Sequence, residues 1–317
     1  MAVTWLTPIN VTPGVTGSFQ DVDNASVPDG ASGVILHVEN THLTTDQQFG
    51  ARKNGSGDAR NAAIHEDSHT WLGVGVDATG IFEVYVGTAD IVVWLVGYFG
   101  SEASFFTNAP DKSTATITPT WEDVDISGDT GGDTAIGAFF EIHSGAQANE
   151  SIGLRKNGST DDRFIRTRRK GYALVGVDGS ELAEQRISTT AMDLFLMGYL
   201  KSEATLNTNA NDRSLGSTGA WLDLGALPSG ASGGIYEIDN TATDGDLYGL
   251  RKDGSSENIL HDGMLGRGLG LVESASLIVE GQISSLSDDF FEMGYFHAAA
   301  APGGTWPGYY GSSRGWF

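Results

Sequence analysis

The sequence predicts an all-β protein of three tandem β-sandwich domains, immunoglobulin-like or jelly-roll-like, followed by a short aromatic C-terminal tail. Two observations predict it. One pattern is written three times along the chain, and within each copy short strand-like runs alternate with turn residues.

The repeat is explicit. FGARKNGSGD (49–58), GLRKNGSTDD (153–162) and GLRKDGSSEN (249–258) are versions of one segment, and WLVGYF (94–99), FLMGYL (195–200) and FEMGYF (291–296) close each copy. Arg52, Arg155 and Arg251 are 103 and 96 positions apart; Gly97, Gly198 and Gly294 are 101 and 96 apart. Two independent markers thus share one period. FQDVD, WEDVD and WLDLG open the copies, PDGASG (28–33) returns as PSGASG (228–233), and the join GSEASFFTNAPDKS (100–113) returns as KSEATLNTNANDRS (201–214). These markers place domains at 1–112, 113–213 and 214–299, with a tail over 300–317. Stacked end to end, three such sandwiches would form a rod of about 100 Å.

Each copy reads as strands. GVILHVEN, AFFEIHS and GIYEIDN partly alternate apolar and polar residues, the mark of a half-buried strand. RKNG and RKDG place Asn-Gly or Asp-Gly at the tip of an expected type I′ hairpin. WLGVGVD, ALVGVDG and GLGLVES supply a further strand. The closing VVWLVGYF run, apolar on both faces, reads as a strand covered on both sides. Turn signals at intervals of roughly 8 to 12 residues indicate about seven strands per copy.

Composition restricts the function. The 317 residues carry 41 acidic and 18 basic side chains, a formal charge of −23, which disfavours a nonspecific grip on nucleic acid or anionic lipid. With no cysteine there is no disulfide, thiolate nucleophile or cysteine-based metal site. No run approaches the roughly 18 apolar residues of a membrane span, so no membrane insertion is expected, and MAVTWLTPINVTPG lacks the pattern of an export signal.

The candidate sites are few. His65-Glu66-Asp67-Ser68-His69 fits the zinc-peptidase pattern, but that chemistry needs both imidazoles on one face of a helix. Here the segment lies between two strand runs, and it reads as solvated loop or strand-edge residues, with no metal site. Asp129 and Asp133, and Asp244 and Asp246, are oxygen donors of the kind a structural calcium takes, though neither pair completes a known calcium loop. No other cofactor is expected. The hairpin-tip cations Arg52, Lys53, Arg155, Lys156, Arg251 and Lys252 read as soluble edge residues, the other reading being a site for sugar, phosphate or carboxylate. Arg163, Arg166, Arg168, Arg169 and Lys170 form a basic cluster in the second copy alone. It reads as a solvated edge strand or as a stripe that docks on an acidic partner, such as another copy of the chain. Trp306, Tyr309, Tyr310, Trp316 and Phe317 make the tail a docking segment, expected to insert into the third domain or a neighbouring subunit. No nucleophile elbow, phosphate loop or dinucleotide fingerprint is present, so no catalytic residue and no enzyme is expected.

The repeated unit, seen in GLRKNGS (153–159), VGVD (175–178) and MDLFLMGY (192–199), resembles repeat units of virion proteins from tailed viruses of bacteria and archaea. That resemblance covers almost the whole chain. It implies a non-enzymatic virion protein, a capsid decoration, turret or tail appendage, assembled in the host cytoplasm. The implied partners are itself, as a homo-oligomer such as a trimer, and other virion proteins. The alternative is a carbohydrate-binding or adhesin protein that attaches to glycans on a host surface.

Overall fold

The computed structural model describes residues 3–298 apart from 118, 146–149, 168, 241–245 and 263–265. These form strands, turns and irregular segments with no helix, and none is therefore long and apolar enough to cross a membrane.

The strands fall into sets of eight. The first holds β1 (Thr4–Asn10), β2 (Phe19–Val22), β3 (Gly33–Asn40), β4 (Gln47–Lys53), β5 (Ala62–Ile64), β6 (Ser68–Gly75), β7 (Phe82–Val86) and β8 (Ile91–Phe99). They pair antiparallel in the orders β1-β8-β3-β6 and β2-β7-β4-β5. The second holds β9 (Ala103–Phe105), β10 (Glu122–Asp125), β11 (Gly137–Ser144), β12 (Ser151–Lys156), β13 (Ile165–Arg166), β14 (Lys170–Gly176), β15 (Leu182–Ile187) and β16 (Met192–Leu200). The third holds β17 (Ala204–Asp212), β18 (Leu222–Ala226), β19 (Ala231–Asn240), β20 (Leu247–Lys252), β21 (His261–Asp262), β22 (Arg267–Glu273), β23 (Ile278–Ile283) and β24 (Asp288–His297). Adding eight to each strand number of the first two orders reproduces the pairing of the second set, and adding sixteen that of the third. One parallel bridge, Asp262 to Ser68, joins a sheet of the third set to one of the first.

The pairing moves the joins. β9 lies inside the expected range 1–112 but pairs with β16, and β17 lies inside 113–213 but pairs with β24. Each link therefore ends as the edge strand of the following set, the place that β1 takes beside β8.

An end-to-end row would keep the first and third sets apart, but β6, β14 and β22 pack against one another. The three sets close around a common centre instead of forming a rod. At one end of that centre Phe99, Phe105, Phe139 and Phe296 meet with ring centroids 5.2 to 6.0 Å apart, and Trp5 joins Phe296 at 5.9 Å. One buried apolar cluster runs through all three sets; a second, including Val124, Phe140 and Leu196, belongs to the second set alone. The enclosure explains why β3 and β6 are buried at every position, where alternation predicts a wet face. Along β8, Ile91, Val93, Leu95, Gly97 and Phe99 are buried and the residues between them half-buried.

Two local features differ from expectation or add to it. In each RKNG or RKDG turn only the glycine takes positive φ, +79° at Gly55, +81° at Gly158 and +71° at Gly254. Ser56, Ser159 and Ser255 donate back to the carbonyls of Lys53, Lys156 and Lys252. That is a type II turn opening a longer loop, not a two-residue type I′ hairpin. In β8, β16 and β24 the register slips by one residue beside Ile35, Phe139 and Ile235, leaving Val96, Met197 and Met293 as bulge residues. A bulge re-aims a side chain, and Met197 and Met293 thereby reach Arg60 and Arg163 of the preceding set.

Candidate functional site

The three contact regions between sets, here called seams, are built from matching positions. At the first, Asp58 and Arg60 of the loop after β4 face Glu141 of β11, Lys170 of β14 and the Phe195–Met197 stretch of β16. Arg60 Nε donates to Glu141 at 3.3 Å, its Nη1 meets Asp58 at 2.7 Å, its Nη2 lies 3.3 Å from Met197 Sδ, and its guanidinium sits 4.6 Å over the Phe195 ring. Lys170 Nζ lies 3.2 Å from Glu141 and donates to the carbonyls of Phe49 and Arg60. His143 also contacts Glu141. Burial alone would raise the Glu141 carboxyl, but Lys170, His143 and Arg60 hold it down at about 2.

The second seam repeats this. Arg163 Nε donates to Glu237 at 2.6 Å, Nη1 meets Asp161 at 2.9 Å, Nη2 lies 3.2 Å from Met293 Sδ, and the guanidinium sits 4.6 Å over Phe291. Arg267 takes the place of Lys170, with Nη2 2.5 Å from Glu237. Asn108 and Asn209 clip each link onto the preceding turn: Asn108 Oδ1 accepts from Ser56 Oγ and Gly57 N, and Asn209 Oδ1 from Ser159 Oγ and Thr160 N. The main-chain amides of Ala109 and Ala210 donate to Asp58 and Asp161.

The third seam is different. Counting eight residues on from Arg52, Arg155 and Arg251 gives Arg60, Arg163 and Ile259. By strand register His37 stands where Glu141 and Glu237 stand, Trp94 where Phe195 and Phe291 stand, and His69 where Lys170 and Arg267 stand. Pro8 stands in place of the clipping asparagine. With neither arginine nor clip, a cavity of about 340 Å³ opens, lined by Trp5, His37, Trp71, Trp94, Trp221 and Glu257 among others. The matching place at the first seam, lined by Arg52, Asp58, Arg60, Phe106 and Met197, holds about 10 Å³.

Behind the cavity lies a buried polar chain. His37 Nε2 and His69 Nδ1 are 3.0 Å apart, His37 stacks on Trp71 at 4.1 Å, and Trp94 Nε1 donates to Glu39. His261 of the third set bonds Glu39 at 3.1 Å and Asp67 at 2.9 Å, and the Tyr248 hydroxyl donates to the His69 carbonyl. Burial pushes His37 down to about 4 and His69 well below its ordinary value, so both are neutral at pH 7. Burial would also lower His261, but its bonds to Glu39 and Asp67 raise it.

The hairpin-tip cations are not free edge residues. Arg52, Arg155 and Arg251 pair with Glu83, Glu184 and Glu280 at 2.9, 2.7 and 2.7 Å and stack on Phe19, Trp121 and Trp221. Lys252 pairs with Glu273, while Lys53 and Lys156 reach the carbonyls of Phe105 and Leu206 at 3.5 Å. The basic cluster is divided. Arg163 and Lys170 serve the seams, Arg169 pairs with Asp46 of the first set at 2.7 Å, and Arg166 is exposed. The acidic partners of Arg163, Arg169 and Lys170 are thus in the same chain. Arg168 and the tail residues Trp306, Tyr309, Tyr310, Trp316 and Phe317 lie outside the described residues, as does Asp244.

His65 and His69 do not share a helix face. His65, in a loop, meets Asp46 at 3.1 Å and Glu66 at 3.0 Å, whereas His69 lies on β6 against His37. Asp46, His65 and Glu66 converge closely enough to hold a cation, as do Asp223, Asp253 and Glu280. Asp129 contacts Lys112, and Asp133 accepts from the Tyr199 hydroxyl and faces Lys201. No family model, curated protein or solved structure matches this chain.

Proposed function

We propose that the chain is a non-enzymatic structural protein of a virion surface, a capsid decoration, turret or tail appendage, made of three jelly-roll units joined in one polypeptide. The units span about 3–99, 103–200 and 204–297. One observation carries the reading: the 1-8-3-6 and 2-7-4-5 strand orders, the pairing of a jelly roll, recur three times, with the sixth strand of each set at a common centre. Such a chain supplies by itself the threefold form that separate subunits supply in a trimer, and it suits a threefold or quasi-threefold position on a protein shell or appendage. The charged seams lock it as one block. Sedimentation with small-angle scattering tests the architecture: a compact particle of 33.4 kDa is expected, and an elongated one would overturn it. Density-gradient fractionation of particles from the producing cells, with the chain detected by mass spectrometry, tests the role. The expected outcome is co-migration with particles, and recovery only in soluble fractions counts against it.

The second reading, a glycan-binding attachment protein, draws on the tryptophan-rich cavity. A glycan array probed with the intact chain separates the two.

A further inference from the structure

The third seam keeps two walls, an aromatic ring and a loop carboxylate, of a site whose counterparts are filled by arginine. At the first and second seams a guanidinium is held by an aromatic face, a sulfur and a carboxylate from its own loop: Phe195, Met197 and Asp58 around Arg60, and Phe291, Met293 and Asp161 around Arg163. At the third the aromatic position is Trp94, whose face attracts a cation more strongly than that of phenylalanine. The loop carboxylate is retained as Glu257, six residues after Arg251 as Asp58 is after Arg52. Among the described residues no cation reaches ion-pair distance of Glu257, since Arg251 is engaged by Glu280 and Lys252 by Glu273. The guanidinium is missing, along with the glutamate and the sulfur that held it, replaced by His37 and Val96, and a cavity of about 340 Å³ lies between the aromatic and carboxylate walls that remain.

We propose that this cavity binds an organic cation, a guanidinium or alkylammonium group seated over Trp94 and paired with Glu257. The site rests on reading the chain as three repeated units with matching seams. Trp5, Trp71 and Trp221 supply apolar faces for the stem that carries the charge, and the two cations in the lining, Arg251 and Lys252, are each offset by a carboxylate, Glu280 and Glu273. His37, which replaces the glutamate of the other seams, is held neutral by its burial and so adds no positive charge. Glu257, an exposed residue that lines the cavity, has its carboxyl held above its ordinary value by partial desolvation and Glu39 against the pull of Arg251. A saccharide would also stack on tryptophan, but the two filled counterparts hold a positive charge at this position.

The test uses the full chain and reads tryptophan fluorescence together with titration calorimetry. Agmatine serves as the free small cation, N-acetyl-Gly-Arg-Gly amide as an arginine side chain within a peptide, and maltose as a neutral saccharide. Saturable binding of agmatine or of the peptide is expected, and the tighter of the two identifies the source of the group. Ile259→Arg restores the missing plug and is expected to weaken binding at least about tenfold while raising Tm. Glu257→Gln, a near-isosteric change at an exposed position, is expected to weaken it about tenfold with Tm unchanged. Saturation by maltose alone, no saturation by either cation, or unchanged binding in both variants would overturn the proposal. A compact 33.4 kDa particle that binds no cation sinks the ligand and leaves the architecture standing, whereas an elongated particle sinks the architecture itself.

Discussion

Glu141 and Lys170, both fully buried, meet 3.2 Å apart where the first two strand sets join, and Arg60 from the first set completes the cluster. Removing one member of a buried ion pair leaves an uncompensated charge out of water. Glu141→Gln is therefore expected to lower unfolding stability by about 3 to 5 kcal/mol, measured by denaturant titration. The double variant Glu141→Leu, Lys170→Met should lose less than Lys170→Met alone; a larger loss would show that the pair is not the unit that matters.

Acid should weaken the third seam. Above pH 6.5 His37 is neutral whether the chain is folded or not, so nothing is lost there. As pH falls from 6.5 toward its folded value of about 4, the unfolded chain takes a proton that the folded one refuses. The loss approaches about 3 kcal/mol below pH 4. His69, also lowered by burial, acts in the same direction. His261 acts oppositely, since its raised value gives stability that is full below pH 6.5 and lost as pH rises through that value. Denaturant midpoints between pH 8 and pH 4 should fall, and less so in His37→Asn. An unchanged slope in that variant contradicts the assignment.

Gly153 lies beneath Trp121. A Cβ there would stand 2.3 Å from Trp121 Cη2 and 2.8 Å from the Arg163 carbonyl. Gly153→Ala is expected to cost about 1 to 3 kcal/mol, whereas Gly128→Ala, with nothing within 4 Å, should be nearly silent in the same thermal melts.

Arg155 ties three groups: it pairs with Glu184, donates to the Asp161 carbonyl and lies over Trp121. Lysine keeps the charge but not the planar fork. Arg155→Lys is expected to lose about 1 to 2 kcal/mol because both directed bonds and the stacked face depend on the guanidinium; full retention of stability would mean that charge alone suffices.

The repeat, the all-β character and the strand runs were legible in the sequence, because an Arg-Lys-Asn/Asp-Gly-Ser segment and a Gly-Tyr closing run recur at nearly constant spacing with strand-like runs between them. Which strand pairs with which was not. SEASFF and SEATLN mark the joins equally well whether they end one unit or begin the next, and only the pairing of Ala103–Phe105 with β16 assigns them. The roles of Arg163 and Lys170 were hidden for a similar reason. A charge cluster looks solvated until the acids that meet it, Glu237 and Glu141, are brought in from other strands. Ile259 was legible in principle: aligned beneath Arg60 and Arg163, it is the position where the third copy departs from the other two. Its meaning needed the seam, since a missing arginine counts only once its neighbours are known to be Trp94 and Glu257.

The links at 100–102 and 201–203 run directly into the edge strands of the next set, so a peptide crosses the first and second seams. Among the described residues none crosses the third. There Trp5 Nε1 donates to Ser232 Oγ, partners 227 positions apart, and β1 must wait through synthesis of most of the chain for the surface it packs against. Contacts of such long sequence separation form late. The third seam is thus the clasp of the assembly, the joint whose two sides are both present only once nearly the whole chain has been made.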